Sequence, residues 1–268
     1  MLFEVGRIEF EKQGQKQGKK MIWSTLCYIE KDDKYLMLHR TKKKEDINAG
    51  KWIGVGGKVE PLETVPECLL REVREETGLR LLNYQVRGII VFNSDWTESE
   101  TMFLYTADEF EKLEEIFCDE GDLKWIPKDE VLGLNLWEGD RVFVRKLLEG
   151  DPFFFMRMEY EGEEMVECVT EAETFKDKVY QEVARIPYGH TMAYGEIAMA
   201  IGHPGAARAV GNVLHENPYE GVIPCHRVVN ARGMCTENFC FGGREVQANL
   251  LRKEGVTVVD GRVIAEKP

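Results

Sequence analysis

The 268-residue chain is short of positive charge, of histidine and of paired cysteine. Lysine and arginine total 35 against 48 aspartates and glutamates, a formal net charge of −13. So acidic a protein is a poor binder of bulk polyanion, and contact with nucleic acid has to come from a local surface. The deficit is uneven. Residues 171–268 hold 11 basic and 12 acidic side chains and all the histidines except His39, whereas residues 1–170 hold 24 and 36. The seven cysteines (27, 68, 118, 168, 225, 235 and 240) are odd in number and contain no CxxC pair. MLFEVGRIEF lacks a signal-like apolar stretch, so free thiols in the cytoplasm are expected, without a disulfide framework or a zinc site. Long apolar runs are missing too. Phe153-Phe154-Phe155 is the longest aromatic run, far below the roughly 20 residues of a membrane helix, and no membrane partner is expected. A composition of 43% hydrophobic and 31% charged residues excludes a wholly disordered or collagen-like chain.

At this length two domains are expected. The change in charge and pattern puts them at 1–170, with 1–20 flexible, and 171–268, the boundary lying near Thr170 to Thr174. MIWSTLCYIE and KYLMLHR read as a hairpin around Asp32-Asp33. Glu67–Thr77 reads as a helix closed by Gly78. Strands are expected at Gln85–Phe92 and Thr101–Thr106, a helix at Trp137–Leu148, and a hairpin of Phe153–Tyr160 with Met165–Val169. Beyond the boundary the pattern is helical: Phe175–Ala184, Tyr194–Ile201, Gly205–Glu216 and Val246–Glu254.

The first chemical constellation runs from Gly57 through Glu63 to Arg71-Glu72-Val73-Arg74-Glu75-Glu76-Thr77-Gly78-Leu79 and fits GX5EX7REUXEEXGU at every fixed place. Seven fixed residues at roughly 7% each would coincide about once in 10⁸ starts. Glu72, Glu75 and Glu76 are spaced i, i+3, i+4, which puts three carboxylates on one helix face. Like charges so placed cost about 0.2–0.5 kcal/mol per pair, so they do not serve the bare helix. A hard divalent ion relieves the repulsion and binds phosphate oxygens as well. Glu63 and Arg71 read equally as catalytic groups or as an ion pair fixing loop to helix. Gly56 and Gly57 allow close backbone approach.

This stretch resembles the Nudix hydrolases. The resemblance implies an α/β/α sandwich and a magnesium site, manganese being the alternative, formed by Glu72, Glu75, Glu76 and Gly56, with Glu75 also catalytic. NAGKWIGVGGKVEP (residues 48–61) is most similar to the 8-oxo-dGTP diphosphatases, which implies nucleoside triphosphate substrates. It also implies that Trp137 and Asp140 of WEGD clasp the base, that Lys58 binds substrate, and that Glu120 is a further ligand or base. Ile53 stands where the human-type enzymes carry a base-reading Asn. Trp137 reads equally as a core residue.

The second constellation is Ile223-Pro224-Cys225-His226-Arg227-Val228, with AYGEIA (193–198), GAARAVGNVLHENP (205–218), FGG (241–243) and LLRKEGV (250–256). A thiol of ordinary pKa is only a few per cent thiolate at neutral pH and needs a base to act as nucleophile. These segments resemble the methylated-DNA–protein-cysteine methyltransferases. The resemblance implies alkyl transfer to Cys225, with His226 taking its proton through water, Glu254 orienting the imidazole, and no cofactor. It implies a mostly helical, winged helix-turn-helix-like domain that binds double-stranded DNA containing O6-alkylguanine. Arg208 would fill the gap left by the flipped base, Tyr194 would rotate the phosphate, and Asn217, grouped with them at the DNA face, would join its helix to the cysteine strand. The family's usual N-terminal domain, with its zinc ligands, is replaced here by the Nudix-like part, and CTENFCF is longer than the family's loop. The whole is expected to be an α+β, two-domain, monomeric enzyme that sanitises nucleotides and repairs DNA. The alternative joins a hydrolase of ADP-ribose or dinucleotides to a non-repairing sensor of alkylated DNA.

Overall fold

The computed structural model describes residues 21–42, 46–95, 97–114, 118–151, 153–170 and 174–264. The polar stretch before Met21 and most of the expected boundary segment lie outside these residues. β1 (Ile22–Lys31) and β2 (Lys34–His39) form the expected hairpin. Asp32 and Asp33 turn it with φ of 51° and 60°, the left-handed geometry that a tight two-residue turn requires. β3 (Trp52–Ile53) pairs with β2, and α1 (Val65–Thr77) follows. β4 (Leu79–Ser94), β5 (Glu100–Lys112) and β6 (Asp122–Pro127) lead to a 3₁₀ turn at Val131–Gly133 and to α2 (Glu138–Glu149). β7 (Phe154–Glu161) and β8 (Glu164–Val169) close the sheet.

The strand order is β3-β2-β1-β5-β4-β7-β8, with β6 also on β2. β1–β5 and β4–β7 are parallel and the other pairs antiparallel, so the sheet is mixed. Alternation along β1 divides its side chains between two faces. Cys27 and Ile29 join Val55, Leu69, Val73 and Phe103 on the α1 face. Leu26 and Tyr28 join Met37, Ile90, Phe143 and Met156 on the α2 face. A helix on each side of one sheet is the sandwich the sequence implied.

The remaining chain forms α3 (Phe175–Ala184), β9 (Met192–Ala193), α4 (Tyr194–Ala200) and α5 (Ala207–His215). A 3₁₀ turn at Cys225–Arg227 runs into β10 (Val228–Val229), which pairs in parallel with β9. α6 (Gly243–Lys253) precedes a ribbon of β11 (Val258–Val259) and β12 (Arg262–Val263). α3 lies against the α1 face of the sheet. Val179, Tyr180 and Val183 are continuous with that core, and Gln181 Nε2 donates to the Phe153 carbonyl at 3.0 Å. Tyr219 is the centre of the junction, its ring 6.1 Å from Trp23, 5.9 Å from Phe103 and 5.8 Å from Tyr180.

The elements differ from expectation mainly at their ends. α1 starts at Val65 because Thr64 caps it in a reciprocal box with Glu67, and α6 starts at Gly243 instead of Val246. β4 is twice the expected length because register shifts near Leu81–Tyr84 and Val86–Gly88 let it follow β5 past non-alternating residues. Among the described residues no helix is long and apolar enough to cross a membrane.

Candidate functional site

α1 organises the first site. Arg71 grips Glu63 with two parallel bonds, Nε to Oε1 at 2.8 Å and Nη2 to Oε2 at 2.9 Å. This bidentate geometry fixes the loop to the helix. The Glu60 N–H adds a bond to Glu63 at 2.9 Å, and the Arg71 bonds, foremost, hold the Glu63 pKa below its ordinary value. Arg71 Nη1 also donates to Glu72 Oε1 at 2.7 Å and Glu75 Oε2 at 3.2 Å. One cation therefore offsets the repulsion of the carboxylate face. Glu76 is buried and accepts from the Gly56 N–H at 3.2 Å. A Cβ on Gly57 would collide with the Glu72 carboxylate, so glycine there lets loop and carboxylate meet.

Held in this way, no three acidic, histidine or cysteine side chains among the described residues converge tightly enough to cage an ion. Glu72, Glu75, Glu76 and the Gly56 backbone nevertheless supply the hard oxygen donors that suit magnesium, and in donor chemistry they fit it. Glu120 pairs with Arg40, which also bonds Asp46 at 2.7 Å. Its loop comes within electrostatic reach of Glu76 through Cys118. Lys58 is well exposed, 3.9 Å from Glu98.

On the other face, Trp137 is the N-cap residue of α2. Its Nε1 donates to Asn48 Oδ1 at 2.8 Å, and the Lys51 ammonium lies 4.5 Å from the ring centre. Lys51 also donates to Asn135 Oδ1 at 3.2 Å. Asp140 is buried. Desolvation, reinforced by Glu100 and opposed by Lys51, pushes its pKa up to about 7. Trp137 and Asp140 thus share a neighbourhood through Lys51, which the sequence reading did not single out although it lies in the quoted NAGKW segment. Ser24 bonds Glu100 beside them.

The second site surrounds the 3₁₀ turn that starts at Cys225. Cys225 is 5% exposed and accepts from Asn217 Nδ2 at 3.4 Å. Asn217, grouped with the DNA-face residues and also expected to join its helix to the cysteine strand, is 4% exposed. Its Oδ1 accepts the Tyr219 N–H at 3.0 Å and its Nδ2 also reaches the Ile223 carbonyl at 3.5 Å. Both amide atoms are spent inside the domain, so Asn217 positions the cysteine segment. His226 Nε2 meets Glu254 Oε1 at 2.8 Å. Glu254 also accepts from Arg227 Nε at 3.1 and 2.9 Å, from Arg227 Nη2 at 2.8 Å and from the Gly189 N–H at 3.1 Å. Burial alone would raise the Glu254 pKa, but the bonds from His226, Arg227 and Gly189 outweigh it and hold the pKa at about 2.

Tyr194, at the start of α4, is half-buried. Desolvation first, then Cys225, Cys240 and Cys235, raise its pKa to about 12. Gly211 of α5 faces its ring. Arg208 stands exposed on α5, next to the exposed Ala209.

Two residues at this site escaped the sequence reading. Gln247 is fully buried on α6. It donates to the His226 carbonyl at 3.0 Å and the Val228 carbonyl at 2.7 Å, and accepts from the Thr236 N–H at 2.8 Å. A glutamine on the apolar face of VQANLL was the available signal. Cys240 Sγ lies 3.9 Å from Cys225 Sγ, a contact across 15 residues that spacing does not reveal.

Comparison with known proteins places both halves. The NUDIX domain model matches residues 22–147. The model of the 6-O-methylguanine DNA methyltransferase DNA binding domain matches residues 174–256. An uncharacterized Nudix hydrolase of Bacillus subtilis, YvcI, is 32% identical over 130 residues, covering 47% of this chain and 78% of the relative. The methylated-DNA–protein-cysteine methyltransferase of Mycobacterium leprae is 42% identical over 109 residues, covering 41% of this chain and 58% of the relative. The chain thus spans little more than half the length of that methyltransferase. The crystal structure of the MutT protein of Bacillus halodurans matches 57% of this chain and 99% of its own, with a TM-score of 0.50 at 28% identity. With a complete box across α1 and the turns on either side of it and PCHRV beside Glu254, the chain belongs to the Nudix hydrolases and carries, behind that domain, the DNA-binding domain of the methylguanine methyltransferases.

Proposed function

We propose that the chain is a genome-maintenance protein with two activities, divided between residues 1–170 and 171–268. The second part removes the alkyl group of O6-alkylguanine in duplex DNA by irreversible transfer to Cys225. The first part hydrolyses purine nucleoside triphosphates, oxidised ones included, to monophosphate and pyrophosphate. The observation that carries this reading is the pair of contacts on either side of the Cys225–His226 peptide, Asn217 on the Cys225 thiol and Glu254, held by Arg227, on the His226 ring.

In the alkyl transfer, the Glu254 carboxylate accepts a hydrogen bond from His226 Nε2–H, which leaves Nδ1 as the ring nitrogen able to accept a proton. The proton of Cys225 passes through water to that nitrogen. The thiolate forms a bond to the alkyl carbon as the C–O6 bond breaks, and the electron pair stays on guanine. The proton returned from the imidazole neutralises the product, so each chain accepts one group. Arg208 on exposed α5 is the residue suited to occupy the vacated stack, and Tyr194 lines the space beside the thiols.

In the hydrolysis, Glu72, Glu75, Glu76 and the Gly56 carbonyl would hold magnesium, which when bound neutralises phosphate charge and activates water. The chain's own part is to hold those donors. Glu63 fixes Arg71, Arg71 aligns Glu72 and Glu75, and the Gly56 N–H anchors Glu76. Trp137 supplies a stacking face and Asp140 a group that, at about 7, can serve as donor or acceptor toward a base. Ile53 offers no hydrogen bond, so discrimination between oxidised and ordinary purines is expected to be weak. Product analysis with purine nucleoside triphosphates tests the hydrolysis: pyrophosphate release that stops in chelator is expected, and orthophosphate alone would reject the assignment.

A further inference from the structure

We propose that Cys225 and Cys240 are a reversible oxidation site, forming a disulfide with each other when hydrogen peroxide is present. The bond would withdraw the alkyl acceptor, and this consequence rests on the proposed role of Cys225; the bond itself does not.

The geometry is already close. The two sulfurs are 3.9 Å apart, and a disulfide of about 2.04 Å asks them to close by roughly 2 Å. Cys240 belongs to a turn segment outside helix and strand, so its side chain can approach without breaking a backbone ladder. That segment is tethered on both sides of the thiol. His215 Nδ1 meets the Asn238 carbonyl at 3.0 Å, and the Gly242 and Gly243 N–H groups donate to the Phe239 carbonyl at 3.3 and 2.9 Å. The tethers keep the sulfurs facing each other, which raises the effective concentration of one thiol at the other. Among the described residues no other pair of thiols makes such a contact; Cys27, Cys68, Cys118 and Cys235 are buried and Cys168 lies on β8.

The order of events follows from access and protonation. Cys240 is half-buried whereas Cys225 is 5% exposed. The contact between the sulfurs, followed by burial, raises the Cys225 pKa, and the same contact lowers that of Cys240. Cys240, the more exposed of the two, is therefore the thiol that peroxide meets first, and it reacts as its thiolate. It attacks hydrogen peroxide, breaking the O–O bond and leaving a sulfenic acid and hydroxide, which is protonated to water. Cys225 then attacks the sulfenic sulfur and a second water leaves. Two thiols and one peroxide give one disulfide and two waters, each sulfur losing one electron to peroxide oxygen. A dithiol reverses the step by exchange. Without a partner thiol, peroxide would drive a lone cysteine onward to acids that thiols do not reduce.

The test uses the full chain treated with peroxide. Intact mass should fall by two hydrogens, peptide mapping should find Cys225 joined to Cys240, and uptake of methyl from an O6-methylguanine duplex should fall in proportion to the linked fraction and return with dithiothreitol. In Cys240→Ser and in Cys240→Ala, each compared with its own untreated uptake, the loss that dithiothreitol reverses should be absent. A linkage to a different cysteine, oxygen added at Cys225 without linkage, or reversible loss in both variants would overturn the proposal. Mapping on the unsubstituted chain needs no variant to fold. Absence of uptake before peroxide would instead defeat the acceptor role while leaving the linkage measurable.

Discussion

Glu254 accepts hydrogen bonds from His226, Arg227 and the Gly189 N–H, and together they outweigh the cost of burying it. Its folded-state pKa, about 2 against an ordinary 4.5, means that its contribution to stability is complete above 4.5 and is lost as pH falls toward 2. Glu254→Gln leaves Arg227 with a neutral partner. It should cost about 3 kcal/mol in urea unfolding at neutral pH, and the gap to the unsubstituted protein should narrow in acid. A gap independent of pH would contradict the ion-pair account. Asp140 carries the opposite sign. Its pKa rises from 3.8 to about 7 on folding, so stability should decline as pH rises from 3.8 through 7 and stay reduced above. Asp140→Asn cannot ionise, so across that window the variant should gain on the parent by a few kcal/mol; parallel curves would show that Asp140 titrates as in solution. Cys225, His226, Glu254 and the box glutamates were legible because each belongs to a dense local motif. Gln247, Cys240 and Lys51 were not, because their partners lie 11 to 86 residues away and no pattern links the pairs.

At the scale of elements, α1 combines a capping box at Thr64 with a glycine C-cap at Gly78. Thr64→Ala should lower stability by about 1 kcal/mol through loss of the cap, read as a lower thermal midpoint. The Glu63–Arg71 pair ties the preceding loop to this helix. Glu63→Gln and Arg71→Gln should each slow hydrolysis, Arg71→Gln the more because it also releases Glu72 and Glu75, and the double variant should be little worse than Arg71→Gln alone, because Glu63 acts through Arg71. Additive losses would mean that the residues act separately. The helix was legible from its carboxylate spacing and from Gly78, and Thr64-x-x-Glu67 was a start signal in plain sight. The two-residue strands β3 and β9 to β12 were not, since they are too short to show alternation, and β3, β9 and β10 pair with strands that do not adjoin them in sequence.

At the scale of the molecule, the sheet and the cysteine-bearing half meet at Tyr219, whose ring contacts Trp23, Phe103 and Tyr180. Its N–H also bonds Asn217, which reaches Cys225. Tyr219→Ala should cost about 3 kcal/mol and separate the unfolding of the two halves in calorimetry. The chemistry of the halves should remain separable, because the donors of one site share no residue with the other. Cys225→Ala should abolish alkyl uptake and spare pyrophosphate release, and Glu75→Gln should do the reverse. The most direct measurement of the central claim is intact-mass and peptide analysis of the full chain after incubation with a duplex containing O6-methylguanine. One methyl group per chain, located on Cys225, is the predicted result; an unmodified protein, or methyl on a different residue, would contradict the account.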